Sequence, residues 1–112
     1  MSPIIAIVII GLQRFTLDAY VIDVLMPDLV GHDHRPAAFL VYLYLSKQTV
    51  LARRDTVGVS LATIAVHTGL SKSTVQTAIR HLLSRRLLDP SVVATTANPQ
   101  RRVLRPWLRG DR

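Results

Sequence analysis

Two short amphipathic helices are predicted between residues 60 and 86 by the pattern of apolar and polar positions. Ser60 and Ser71 each stand just before one of them, as helix N-caps do, because a serine hydroxyl can accept a hydrogen bond from an unpaired amide of the first turn. Gly69 lies between the two, and glycine adopts the left-handed backbone of a tight turn easily. The apolar positions of the second helix recur every three or four residues, at Val75, Ala78, Ile79, Leu82 and Leu83. The pattern therefore predicts a helix, a tight turn and a second helix.

A longer and more apolar helix is predicted before this pair. Pro36 suits the first position of a helix, where no N–H is needed, and the helix is expected to run to about Thr49. Its side chains leave almost no polar face, which indicates burial in the core or across a dimer interface. Further upstream, the Ile- and Val-rich run 4–10 predicts a buried strand. A short helix follows it, and Pro27 is expected to end that helix.

The C-terminal third of the chain has the pattern of short strands and turns. A strand is predicted within residues 87–94, residues 95–100 have turn chemistry, and residues 101–107 are expected to form a returning strand. Trp107 is expected to pack this hairpin against the core. A β-hairpin directly after a helix pair forms a wing beside the second helix.

Charge is distributed unevenly along the 112 residues, which suffice for one domain. Residues 1–34 carry one arginine and four aspartates, a net charge of −3. Residues 35–112 carry thirteen lysines and arginines against three aspartates, a net charge of +10. This asymmetry favours a polyanionic partner for the basic part and a protein contact for the acidic part. Twelve of the fourteen cations are arginines, which suit bidentate contacts with phosphate or guanine.

Several classes of function are disfavoured by the residue types present. The chain has no cysteine, which excludes disulfides, thiolate metal sites and cysteine nucleophiles. No nucleophile, base and orienting group stand in a recognisable set, so we expect no enzyme. Residues 69–74 look like the end of a phosphate-binding loop but lack its glycines. His32-Asp33-His34 offers two histidine ligands on a loop without a third nearby, so neither a metal nor another cofactor is expected.

No membrane segment or export signal is expected. The apolar run 3–10 is shorter than the roughly 20 residues that a spanning helix needs. It also lacks the basic start and the small-residue cleavage site of a secretory signal. We therefore expect a cytoplasmic, nucleoid-associated protein.

The pattern resembles the winged helix-turn-helix transcription regulators of bacteria, including their GntR-like and MarR-like modules and related plasmid and phage control proteins. The resemblance covers about residues 36–107 and rests on Ser60-Leu61-Ala62-x-Ile64-Ala65, Thr68-Gly69-Leu70-Ser71-x-Ser73-Thr74-Val75, Ala78-Ile79-x-x-Leu82 and Leu87-Leu88. It implies a mainly α fold with a β-hairpin wing. A winged helix-turn-helix DNA-binding domain is expected over residues 36–112, and an apolar strand and helix over residues 1–35 as a dimerisation extension. The family often has a glycine where Arg85-Arg86-Leu87 stands, which leaves the angle of the wing open.

The resemblance makes the second helix of the pair a DNA recognition helix. Gln76 suits bidentate contacts with adenine and Arg80 with guanine. Hydroxyls at the helix start suit phosphate contacts, Arg101 and Arg102 belong to the wing, and Arg53 and Arg54 suit a backbone phosphate. The alternative for each of these residues is a side chain that is only solvated at the surface. Arg85 and Arg86 are not predicted to contact DNA, because interaction with the carbonyls at the helix end explains them. The predicted DNA contacts are Ser71, Lys72, Ser73, Thr74, Gln76, Thr77, Arg80, Arg101, Arg102, Arg53 and Arg54.

The predicted function is sequence-specific binding of double-stranded DNA by a homodimeric transcriptional regulator. The dimer contact is expected at residues 1–10 and in helix 36–49. Neither an effector domain nor a small-molecule effector is expected. Two alternatives stay open: a winged helix used for protein interaction or assembly, and a DNA binder that controls replication of a plasmid or phage.

Overall fold

A computed structural model describes residues 13–108 of the chain. These residues form a mainly helical fold with a small two-stranded antiparallel sheet, an architecture compatible with a winged helix. Three α-helices are present: α1 (Pro36–Ala52), α2 (Leu61–Thr68) and α3 (Lys72–Ser84). Strand β1 (Thr56–Gly58) pairs with β2 (Gln100–Arg102), and two π-helical segments, Val21–Leu25 and Pro27–His32, precede α1. None of the helices in this part of the chain is long and apolar enough to cross a bilayer.

The predicted helix–turn–helix geometry is confirmed at its caps. The Ser60 hydroxyl accepts a hydrogen bond from the amide of Thr63, and the Ser71 hydroxyl accepts one from the amide of Thr74, each at 3.1 Å. Gly69 ends α2 in the left-handed conformation with φ +79°. Helix α3 begins three residues later, so a tight turn separates the two helices.

Helix α1 is the centre of the core, as its apolar pattern predicts. Val41, Tyr42 and Leu45 are fully buried, and α1 packs against α2, α3 and the Pro27–His32 segment. The Tyr42 hydroxyl donates a hydrogen bond of 2.7 Å to the carbonyl of Leu104, so the one polar atom of this ring has a partner. The helix extends to Ala52, three residues beyond the predicted end.

Helices α1 and α3 both end with an arginine in the left-handed conformation. Arg53 follows α1 with φ 57°, and Arg86 follows the C-cap of α3 with φ 55°. After α3, the amide of Arg86 donates to the carbonyl of Leu83 and that of Leu87 to the carbonyl of Leu82. This is the Schellman pattern, in which glycine usually takes the left-handed position.

The predicted wing differs from the structure in both of its strands. The prediction of a strand within residues 87–94 is wrong apart from a single bridge between Leu88 and Val103. The returning strand is Gln100–Arg102, and it pairs with Thr56–Gly58, a segment predicted to be a loop. The two prolines, Pro90 and Pro99, and the polar residues of the 89–99 loop interrupt pairing along that segment. Strand β1, from before the helix pair, therefore supplies the partner.

The N-terminal segment also departs from its prediction. Pro27 does not end the helix there, because the backbone continues through a second π-helical segment to His32. A proline inside an α-helix crowds the carbonyl four residues back, and the wider π-helical turn accommodates the ring. Val21, Leu25 and Leu29 are buried in the same core as α1, so the predicted extension and the predicted DNA-binding domain share one core within the described residues. The predicted strand 4–10 lies outside those residues.

Trp107 contacts the N-terminal segment. Its ring stacks on Tyr20 with centroids 4.6 Å apart, and its indole N–H donates to the carboxylate of Asp18 at 3.0 Å. Trp107 also packs against the core cluster, as predicted, and in addition it joins the two ends of the described chain.

Candidate nucleic-acid interface

One exposed face of α3 carries a row of long polar side chains. Lys72, Gln76 and Arg80 follow one another at four-residue intervals, so they share a face of the helix. All three are exposed, and their side chains form no hydrogen bond or ion pair with any other residue from 13 to 108. The eight residue steps from Lys72 to Arg80 span about 12 Å of helix, close to the width of the DNA major groove. The row is long enough to contact several neighbouring base pairs.

This row forms one wall of a concave surface, here called the helix–loop groove. The opposite wall comes from the loop 89–99 and β2, through Thr95, Thr96 and Arg101, and the groove has a volume of about 430 Å³. Thr95 and Asn98 close a turn in this loop by reciprocal backbone hydrogen bonds of 3.0 and 3.2 Å. Lys72, Arg80 and Arg101 contribute three positive charges, and no lining residue is acidic. Such a surface attracts an anionic backbone.

Arg101 is the arginine of β2 that lines the groove. Its Nε donates to the carbonyl of Val59 at 3.1 Å, which fixes the side chain beside the start of α2. Burial lowers the pKa of Arg101, although an arginine keeps its charge at neutral pH. The anchored guanidinium still has N–H groups to offer a ligand.

Arg102 has a different environment from its neighbour. Its Nε donates to Asp55 and its Nη1 to Asp89, each at 3.0 Å. These hydrogen bonds raise the pKa of Arg102. The hydrogen bond from Arg102 is the main reason why the pKa of Asp55 lies below its usual range. The pKa of Asp89 is lowered first by its hydrogen bonds from Ser91 and then by that from Arg102. Because two carboxylates surround this one cation, Arg102 holds β1, β2 and the loop 89–99 together and adds no net positive charge to the surface.

The hydroxyls at the start of α3 divide into two groups. Ser71 accepts from the amide of Thr74 and donates to its hydroxyl at 2.8 Å, so both residues are engaged in capping the helix. Ser73 and Thr77 are exposed on the side of α3 that faces away from the helix–loop groove. The Ser73 hydroxyl also contacts the Ser71 hydroxyl at 3.3 Å, whereas Thr77 has no side-chain partner within residues 13–108, so Thr77 is the better placed of the two to meet a phosphate.

Ser73 and Thr77 line a second hollow, of about 320 Å³, together with residues from the start of α1. His34 and Arg35 lie on its rim, and both are exposed. A phosphate on this side of α3 would meet the guanidinium of Arg35. Neither residue was predicted as a contact, because their position depends on how α1 crosses α3, which no local pattern reveals.

Arg53 and Arg54 lie outside both hollows. They are exposed at the end of α1 and precede β1. Strand β1 runs from Thr56 to Gly58 and leads to Ser60 at the groove, so these two arginines stand at its opposite end. The structure thus does not bring them together with Lys72, Gln76 and Arg80.

An acidic cluster joins the N-terminal segment to the far end of α3. His81 Nε2 contacts Asp33 at 2.7 Å, the guanidinium of Arg85 lies 3.4 Å from Asp33, and Arg85 also pairs with Asp28. The hydrogen bonds from His32 and His81 are the main reason why the pKa of Asp33 lies below its usual value. Asp28, His32 and Asp33 offer ligand atoms within 4.8 Å of one another, and they include two of the residues weighed above as metal ligands. In the structure, Asp28 and Asp33 form ion pairs with Arg85. These ion pairs account for the position of Arg85, for which the sequence had suggested interaction with the carbonyls of the helix end.

No family model, no curated protein and no solved structure matches the chain.

Proposed function

We propose that the protein binds double-stranded DNA in a sequence-dependent manner and regulates transcription as a homodimer. The observation that carries this proposal is the helix–loop groove, in which one row of unpaired side chains and three positive charges face a single concave surface without an acid. A duplex offers such a surface both phosphates and base edges.

The residues of the groove and of the opposite side of α3 divide into base contacts and phosphate contacts in this proposal. The face of α3 enters the major groove, where Gln76 pairs with an adenine edge and Arg80 with a guanine edge. Lys72, at the start of the row, and Arg101, on the opposite wall of the groove, contact phosphates of the DNA backbone. Ser73 and Arg35 contact the backbone on the other side of α3. The phosphate contacts supply affinity, and the two base contacts supply selectivity.

A homodimer follows from the size of this surface. A single recognition helix contacts few base pairs, and two copies related by a two-fold axis read a palindromic site with twice the interface. Control of transcription is the simplest use of such a dimer. Control of plasmid or phage replication would use the same contacts.

Selection of bound duplexes from a random pool, performed with the full chain, tests the proposal. We expect enrichment of one short motif repeated with inverted symmetry. We also expect the affinity for that motif to fall with salt, with a log–log slope of about −0.9 for each phosphate contacted. A pool that stays random, together with no binding to any duplex at low salt, would contradict the proposal and favour a protein-interaction module.

A further inference from the structure

Two hollows flank the exposed face of α3 along its length. The helix–loop groove is lined by Lys72, Gln76 and Arg80 of this helix, and the second hollow by its Ser73 and Thr77. Each hollow therefore follows the helix for a turn or more. A helix with its side chains is about 10–12 Å across, close to the major-groove width of about 12 Å. The two hollows thus lie where the two DNA backbones beside a major groove run.

Both hollows present positive charge to such backbones. Arg101 stands on the wall of the helix–loop groove opposite α3, and Arg35 stands on the rim of the second hollow. Among residues 13–108, no acidic side chain lines either hollow. A phosphate backbone held in each hollow runs parallel to α3, because each hollow follows the helix. This arrangement places α3 lengthwise in the major groove.

Entry of α3 by its tip is the other way in which the helix could reach base edges. The hydroxyls at that tip are already engaged, since Ser71 donates to Thr74 at 2.8 Å and contacts Ser73 at 3.3 Å. Arg80 lies about 12 Å along the axis from Lys72, so entry by the tip would leave Arg80 far from the bases. The lengthwise position uses the whole row of unpaired side chains.

The shape of the major groove then determines which base pairs the row meets. Each base pair advances the groove by about 3.4 Å and turns it by about 35°. At about 8 Å from the duplex axis, where the axis of a helix filling the groove lies, this turn adds an arc of about 5 Å. The groove therefore runs about 6 Å per base pair, which equals the advance of four residues of α-helix.

Gln76 and Arg80 are consecutive members of the row. Of the residues between them, Ala78 and Ile79 are buried and Thr77 lines the second hollow. No other side chain of this face stands between the two. One step along the row thus corresponds to one base-pair step.

We propose that Gln76 and Arg80 read directly adjacent base pairs, an A·T pair beside a G·C pair, with α3 lengthwise in the groove. The inference rests on the proposed function, whose two base contacts it places in register. It makes one dinucleotide step the centre of each half-site, and it makes Arg35 and Arg101 contacts to opposite strands.

Base-pair substitutions test the register. Fluorescence anisotropy of the full chain, Gln76→Ala and Arg80→Ala is measured on the selected site and on every single-pair substitution of its half-site. We expect Gln76→Ala to lose about 5- to 150-fold discrimination at one A·T pair, and Arg80→Ala to lose as much at the neighbouring G·C pair. Losses at the same position, or at positions two or more steps apart, would overturn the register and leave DNA binding established. Absence of binding to any duplex would instead overturn the proposed function, and the register with it.

The salt dependence of binding tests the lengthwise position. We expect Arg35→Ala to weaken binding to all of these duplexes by the same factor and to reduce the log–log salt slope by about 0.9, the value for one phosphate. Arg54→Ala is the matched control, because Arg54 is equally an exposed arginine but lies outside both hollows, and it should leave the slope unchanged. An unchanged slope in Arg35→Ala, or an equal change in both variants, would show that the second hollow holds no phosphate and would overturn the lengthwise position.

Discussion

At the scale of single residues, the helix ends show which local rules the chain obeys and which it breaks. The N-caps Ser60 and Ser71 and the turn residue Gly69 are where the sequence predicts them, because each depends only on its own side chain and the next three residues. Arg86 breaks the corresponding rule for helix C-termini by occupying a left-handed position with φ 55°. Its side chain makes this backbone conformation less favourable than a glycine would.

Replacing this arginine gives a prediction at the same scale. Arg86→Gly should raise the free energy of unfolding by about 1 kcal/mol, because glycine adopts the left-handed conformation without steric conflict. Arg86→Ala is the control, since it removes the same side chain but keeps the Cβ, and it should give no such gain. Urea unfolding of both variants measures the difference. An equal gain in both variants would show that the arginine side chain, and not the left-handed backbone, is what destabilises the protein at this position.

At the scale of elements, the features that the sequence could not predict are those that depend on contacts between distant segments. The pairing of β1 with β2 joins segments more than forty residues apart, and no local pattern marks Thr56–Gly58 as a strand. The helical path through Pro27 likewise depends on burial of Leu29 against the core, which overrides the usual effect of proline. Helices α1 to α3 could be predicted because their apolar periodicity and end signals lie within each element.

The attachment of the N-terminal segment to α3 makes stability depend on pH. Because the pKa of Asp33 is lowered in the folded state, mainly by its hydrogen bonds from His32 and His81, folding favours its ionised form. Its contribution is therefore complete above the usual carboxyl pKa of about 4 and is lost as the pH falls through the lower, folded value.

The variant Asp33→Asn should lower the free energy of unfolding at pH 7 by about 1–3 kcal/mol. It should also flatten the decline of stability below pH 4. Asp23→Asn is the control, because Asp23 is exposed and has no side-chain partner within residues 13–108. Urea unfolding between pH 3 and pH 7 gives both curves. If the two variants behave alike, the contact of Asp33 with His81 contributes nothing to stability.

At the scale of the whole molecule, the structure shows which of the many cations are neutralised by acids and which are not, and composition alone could not show this. The acids Asp28 and Asp33 neutralise cations at one end of α3, and Asp55 and Asp89 neutralise Arg102. The positive charges at the helix–loop groove that form no ion pair within residues 13–108 are Lys72, Arg80 and Arg101. The sequence predicted these three but could not separate them from Arg102, whose partners come from distant parts of the chain.

The most direct test of DNA recognition compares two arginines of different position. Full-length Arg80→Ala and Arg54→Ala remove the same charge from exposed sites, one at the helix–loop groove and one beyond the opposite end of β1. Their affinities for the selected DNA site and for a scrambled duplex, measured by fluorescence anisotropy at one salt concentration, give the discrimination of each variant. We expect Arg80→Ala to lose about 1–3 kcal/mol of discrimination and Arg54→Ala to retain it. Unchanged discrimination in Arg80→Ala, or an equal loss in both variants, would contradict recognition of DNA through α3.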